Sequence, residues 1–179
     1  MLAPMSLPTY GQALTLPAVF DQAVTADFID ENGHMNIGDY FRLGSWAPWR
    51  RMVELGMGED YIARRGLSFF TTEHQIRYLA ELRLGERFSV HSAFVGRSAK
   101  AVHAVGIVVD REHERVACFM EVIYVHVSMT DRQAAPIPDD LGAALDADAS
   151  AYGGDWLGRS ARGLTLRRRT PAESGTLRS

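Results

Sequence analysis

The sequence predicts an α+β fold in which a five-stranded antiparallel sheet lies against one long helix. Three observations point there. A capped helical segment starts at Asn36. The apolar pattern then changes from helical to strand-like at Leu67. Three more strand-like runs follow, joined by two connections short enough for hairpins. At 179 residues and 46% apolar content, the chain is long enough for one domain with an appendage.

Taken in order, Met1–Pro17 holds three prolines and little periodicity, and reads as an extended lead-in. Val19–Phe28 is mostly apolar and forms the first strand. Asp30-Glu31-Asn32-Gly33 is turn chemistry, with glycine free to take positive φ. Asn36 then caps a helix, with Asp39 near its positive end. Tyr40, Leu43 and Ala47 share one helical face, flanked by Phe41, and Gly44 allows close approach to a sheet. Pro48 either kinks this helix or opens a second one running to Leu55. Glu59–Arg65 reads as a further short helix, and Leu67–Tyr78 as a strand rich in Phe, Thr, Ile and Tyr.

Arg87–Val95, Ala99–Val109 and Arg115–Val127 complete a meander of four strands, and Leu141–Ala149 forms a short Ala-rich helix. The expected organisation is a lead-in over 1–18, a domain over 19–147 and an Arg/Gly/Ser-rich tail over 148–179. The tail reads as mobile or surface-docked, or as a basic flap able to touch phosphates.

Composition excludes several classes. A net charge of −3 gives no reason to expect nucleic acid or an anionic membrane as partner. No apolar run approaches the length that spans a bilayer. The N-terminus has neither the basic start nor the apolar core of a signal peptide, so a cytoplasmic location is expected. The single cysteine, Cys118, sits in an apolar run as a small core residue. No serine elbow, zinc spacing, Walker loop or dinucleotide glycine motif is present, and no metal is expected.

The chemistry concentrates in Asp30–Tyr40. A carboxylate beside a helix start can serve an oxyanion-forming reaction, because the first amides of a helix are unpaired and positively polarised. Asp30 is either a turn cap or a general base or nucleophile. Backbone amides around Asn36, Ile37 and Gly38 are the natural oxyanion donors. His34 is a second acid/base or an organiser of the loop. Asn36 is an N-cap first and a carbonyl donor second, and Tyr40 is core-facing with its hydroxyl near the site.

A second group lies on the strand from Leu67. Strict alternation puts Thr71, Glu73 and Gln75 on one face and Phe70, Thr72, His74 and Ile76 on the other. Glu73 is a solvated carboxylate or a second active-site acid. His74 and His126 read as hydrogen-bonded core histidines.

The run D-x-x-G-H-x-N-x-x-x-Y, here Asp30 to Tyr40, resembles the signature of the hotdog-fold acyl-CoA thioesterases, the 4-hydroxybenzoyl-CoA thioesterase-like superfamily. Gly66, Ser68, Phe70, Thr71 and Glu73 match a G-x-S-x-[YF]-T-x-E run of its betainyl-CoA branch, which acts in carnitine breakdown. Val125-His126-Val127 and Trp156-Leu157-Gly158-Arg159 resemble that branch's last strand and closing segment.

The resemblance implies a hotdog fold, a sheet wrapped around one central helix, and hydrolysis of a short-chain acyl-CoA. CoA would enter only as part of the substrate, with no other cofactor. Asp30 would be the active-site carboxylate, and a homodimer or homotetramer is implied. A betainyl-type cationic acyl group would want an aromatic cage, for which Trp46, Trp49, Phe69, Phe70 and Glu73 are candidates, with Thr72 among the binding residues. A different short or aromatic acyl group fits the same signature. A hotdog enoyl-CoA hydratase and a non-catalytic acyl-CoA sensor are the alternatives.

Overall fold

The computed structural model describes residues 7–58, 60–161, 164 and 166. Helix α1 (Tyr10–Leu14) is followed by strand β1 (Ala18–Ala23), a 3-10 turn at Ala26–Phe28, helix α2 (Ile37–Glu54) and helix α3 (Tyr61–Arg65). Strands β2 (Leu67–Tyr78), β3 (Arg87–Arg97), β4 (Ala101–Asp110) and β5 (Arg115–Ser128) follow, then helices α4 (Asp139–Tyr152) and α5 (Asp155–Ser160). The strands form one antiparallel five-stranded sheet with α2 packed across it, which is the hotdog arrangement. Among the described residues, no helix is long and apolar enough to cross a membrane.

The strand order is β1-β3-β4-β5-β2, so the last four strands are not a simple meander. β2 pairs with β5 at the far edge instead of with β3, its neighbour in sequence. The connection over residues 79–86 crosses the end of the sheet. Leu79 and Ala80 continue the ladder by donating to the Ala117 carbonyl, and Leu82 is fully buried. The lead-in also departs from the extended reading. Thr9 and Gln12 form a reciprocal capping box that starts α1, with N–H to side-chain distances of 2.9 and 3.2 Å.

α2 stays unbroken through Pro48. Proline supplies no N–H to the Gly44 carbonyl one turn earlier. That carbonyl instead lies against β4, where a Cβ on Gly106 would fall 2.1 Å from it. The helix and the sheet therefore touch backbone to backbone at Gly44 and Gly106. Around this point Tyr40, Leu43, Ala47, Val90, Val108 and Cys118 pack into the core. Cys118 is 1% exposed, and burial pushes its thiol up to about 12.

The opposite face of the sheet is covered by α1 and α5, with Leu16, Leu157 and Ala161 packed on Ala93, Val105, Ile107 and Phe119. The near part of the tail is thus docked on the sheet. Arg162 and Arg167–Arg169 lie outside the described residues, as does the side chain of Arg159. α4 is tied to α2 by an ion pair between Arg51 and the buried Asp148. Burial holds the Asp148 carboxyl above its usual range, although Arg51 opposes this.

Candidate active site

The loop before α2 is a small closed hairpin. Asp30 N–H donates to the His34 carbonyl at 3.0 Å, Gly33 N–H donates to the Asp30 carbonyl at 3.0 Å, and Ile29 bridges Met35. Asp30 Oδ1 accepts from Asn32 N–H at 2.9 Å, the Asx turn expected of this residue. Gly33 has φ of 78°, which a side chain would strain. Met35 N–H donates to the Leu82 carbonyl at 2.8 Å and fixes the loop to the connection after β2.

Within this frame the Asp30 side chain is only 10% exposed. His34 Nδ1 lies 3.9 Å from Asp30 Oδ1, too far for a hydrogen bond, and 3.1 Å from the Met35 carbonyl. His34 thus braces the loop in this structure.

Asn36 is the N-cap, its Oδ1 accepting from Gly38 N–H at 2.7 Å. Asn36 N–H donates to the Phe28 carbonyl at 2.8 Å. Of the three amides named as oxyanion donors, those of Asn36 and Gly38 are therefore occupied. Ile37 N–H has no hydrogen-bond partner among the described residues, and Ile37 is 61% exposed. Tyr40 donates its hydroxyl to the Ala80 carbonyl at 3.1 Å, and burial raises its pKa, so it stays protonated. A cleft of about 300 Å³ opens here, lined by His34, Ile37, Tyr40, Tyr78 and Glu81 among others.

Further along the seam between α2 and β2 lies a second cleft of about 370 Å³, walled by Phe41, Ser45, Trp46, Trp49, Thr71, His74 and Tyr124. Trp46 and Trp49 reach it, but their companions from β2 are not those that strict alternation predicts. β2 carries a bulge between Thr71 and Glu73, where Thr71 pairs with Tyr124 and Glu73 with Ile123. The extra residue resets the alternation. Phe69, Thr71, His74 and Ile76 face the α2 side, whereas Phe70, Thr72 and Glu73 face away.

Glu73 and Thr72 line a separate pocket of about 320 Å³ with Ser98, Ile123, Val125 and Leu166. Phe70 lies under Arg132, with 5.6 Å from the guanidinium to the ring centroid. Phe69 is core, packed on His126 at 4.7 Å between centroids. One chain therefore brings Asp30, His34, Asn36, Ile37, Gly38 and Tyr40 together, and sets Trp46 and Trp49 along the same seam. It does not bring Phe70, Thr72 or Glu73 to that seam.

His126 is the bonded core histidine expected, 3.0 Å from the Tyr61 hydroxyl and 3.1 Å from the Ala135 carbonyl. His74 is not. Its Nε2 is buried without a partner among the described residues, and its ring meets Phe41 edge-on at 5.0 Å. Sequence reading missed Phe41, Thr71 and His74 as cleft residues. The i, i+4, i+8 spacing of Ile37, Phe41 and Ser45 was the available signal.

The model of the thioesterase-like superfamily matches residues 24–145. The chain belongs to this superfamily. The match takes in the whole Asp30 loop, α2 and strands β2 to β5. The chain is similar to the L-carnitine dehydrogenase/betainyl-CoA thioesterase of Ruegeria pomeroyi, 32% identical over 86% of this chain and 31% of that one. It thus spans about a third of that two-activity relative. It also resembles the betainyl-CoA thioesterase of Pseudomonas aeruginosa, at 25% identity over 79% of this chain and 87% of that one. A Staphylococcus aureus protein determined in complex with CoA has the same fold, with a TM-score of 0.69 at 21% identity over 85% of this chain and 90% of that one.

Proposed function

We propose that this member of the thioesterase-like superfamily is a cytoplasmic acyl-CoA thioesterase that releases a short acyl group, of the betainyl type, as the free acid. One observation carries the reading. A nearly buried carboxylate, Asp30, sits in a hydrogen-bonded loop just before α2; there the Ile37 amide is unoccupied among the described residues, and Ile37 and His34 line a cleft. Asp30 acts as general base on water or attacks the acyl carbon directly. The Ile37 N–H, helped by the helix dipole and the Asn36 side-chain amide, holds the oxyanion. CoA arrives as part of the substrate, and no metal or redox group is required.

The names of the relatives and the aromatic lining of the second cleft support a betainyl-type acyl group. A homodimer or homotetramer completes the site. β2 is a 12-residue edge strand with exposed Phe70 and Tyr78, flanked by exposed Ile37, Phe41 and Trp46 of α2, and pairing with a second copy covers both edge and apolar seam.

Thiol release from a panel of short, aromatic and long acyl-CoAs tests this. The wild type hydrolyses short esters, and Asp30→Asn lowers kcat by about 10²–10⁴-fold while folding normally. Binding of CoA esters with no hydrolysis of any panel member overturns the proposal in favour of a hydratase or a sensor.

A further inference from the structure

The second cleft holds a feature that general thioester chemistry does not use. Among the described residues, no charged side chain lines it. Four aromatic rings, Phe41, Trp46, Trp49 and Tyr124, surround His74, Thr71 and Ser45. Tyr124 is committed, donating its hydroxyl to the Ser45 carbonyl at 3.0 Å. His74 is uncommitted, because its Nε2 is buried and unpartnered. Ile37 and Phe41 are one helical turn apart, about 6 Å along the axis. Phe41 in turn meets the His74 ring at 5.0 Å, so the second cleft is the next one along α2 from the Ile37 amide.

Resting on the proposed function, we propose that His74 is the charge-discriminating residue of the acyl site, a neutral imidazole that admits a quaternary-ammonium acyl group among the aromatic rings. A neutral His74 ring adds no positive charge to the cleft wall, while the aromatic rings supply cation–π attraction. Protonation of His74 places a like charge in the cleft and expels the cation. Burial already depresses the pKa of His74 and keeps it neutral.

Other charges stand aside. On α2, Arg42 pairs with Asp39 and lies over Phe28, Arg50 lies over Phe20, and Arg51 pairs with Glu54 and Asp148. Glu54 and Arg50 line the adjoining groove beyond Trp46 and Trp49. On β2 and β5, Glu73, Arg77 and Glu121 are on the opposite face, since their partners Ile123, Phe119 and Val105 face that way.

The test compares betainyl-CoA with 3,3-dimethylbutanoyl-CoA, the uncharged ester of the same shape, between pH 5 and 8.5. The ratio of their kcat/KM values cancels ionisations that affect both reactions alike, and the His74 variants isolate the contribution of that ring. In the wild type the ratio falls at least about tenfold on acidification through the His74 titration. In His74→Gln it is flat, and in His74→Arg it is low at every pH. A wild-type ratio independent of pH, or the same profile in His74→Gln, overturns the assignment. Hydrolysis of the neutral ester alone overturns it while leaving the thioesterase reading intact, and hydrolysis of no ester overturns both.

Discussion

On the face of the sheet covered by α1 and α5, the histidines are tied down. His91 lies 2.9 Å from the Leu16 carbonyl and 2.8 Å from Ser89 Oγ, and His103 Nε2 lies 3.1 Å from Glu121 Oε2. Leu164 N–H donates to that same Glu121 oxygen at 3.0 Å, joining the tail to the pair. On the α2 side, near the β2 edge, His74 has no such partner among the described residues and stands in a cleft. The two faces share one backbone ladder, so the difference lies in what covers them. Under cover of their own chain, His91 and His103 each find a partner within it. At the open edge, His74 is left lining a cleft.

The contrast can be broken in three places. The largest effect is expected where α2 meets the sheet. Gly106→Ala forces a Cβ into the Gly44 carbonyl and should cost about 3 kcal/mol, lowering Tm by roughly 6–12 °C in thermal denaturation. A wild-type Tm would mean that α2 is free to shift.

Next comes the pair of histidines. His91→Ala removes two hydrogen bonds inside the sealed face and should cost about 2 kcal/mol. His74→Leu removes none and should stay within about 0.5 kcal/mol in urea unfolding. Equal losses would erase the distinction between the two faces.

The smallest effect is on pH. Burial lowers the pKa of His74, His91 and His126 below the ordinary 6.5. The unfolded chain then takes up protons first on acidification. Stability is complete above pH 6.5 and is lost as pH falls towards the depressed values. Tm should drop by a few degrees, at about 2–4 °C for each kcal/mol, between pH 7.5 and 5.5, with a smaller drop in His91→Ala. An unchanged Tm would show that these rings titrate alike folded and unfolded.

Local chemistry wrote the loop and the helix start plainly. Asp30, Gly33 and Asn36 each form the bond their type favours, and β2 spans the residues its pattern marks. What stayed hidden depends on distant partners. Pairing of β2 with β5 comes from the α2 crossover, which no run of residues displays. The bulge at Thr72 comes from cross-strand register, and that one residue sends Glu73 away from Asp30 and His74 towards the helix. The amide of Gly38 was lost as an oxyanion donor to the very cap that marks the helix start.

Cys118 has a practical consequence at the bench. It is the only sulfhydryl of the chain, sealed under α2 and held protonated far above neutral pH. A thiol-reactive chromogen added to the folded protein therefore counts CoA liberated by the proposed hydrolysis and almost nothing else. In denaturant the same reagent titrates one new equivalent per chain. The reagent that tests the proposed turnover thus doubles as a stoichiometric reporter of unfolding.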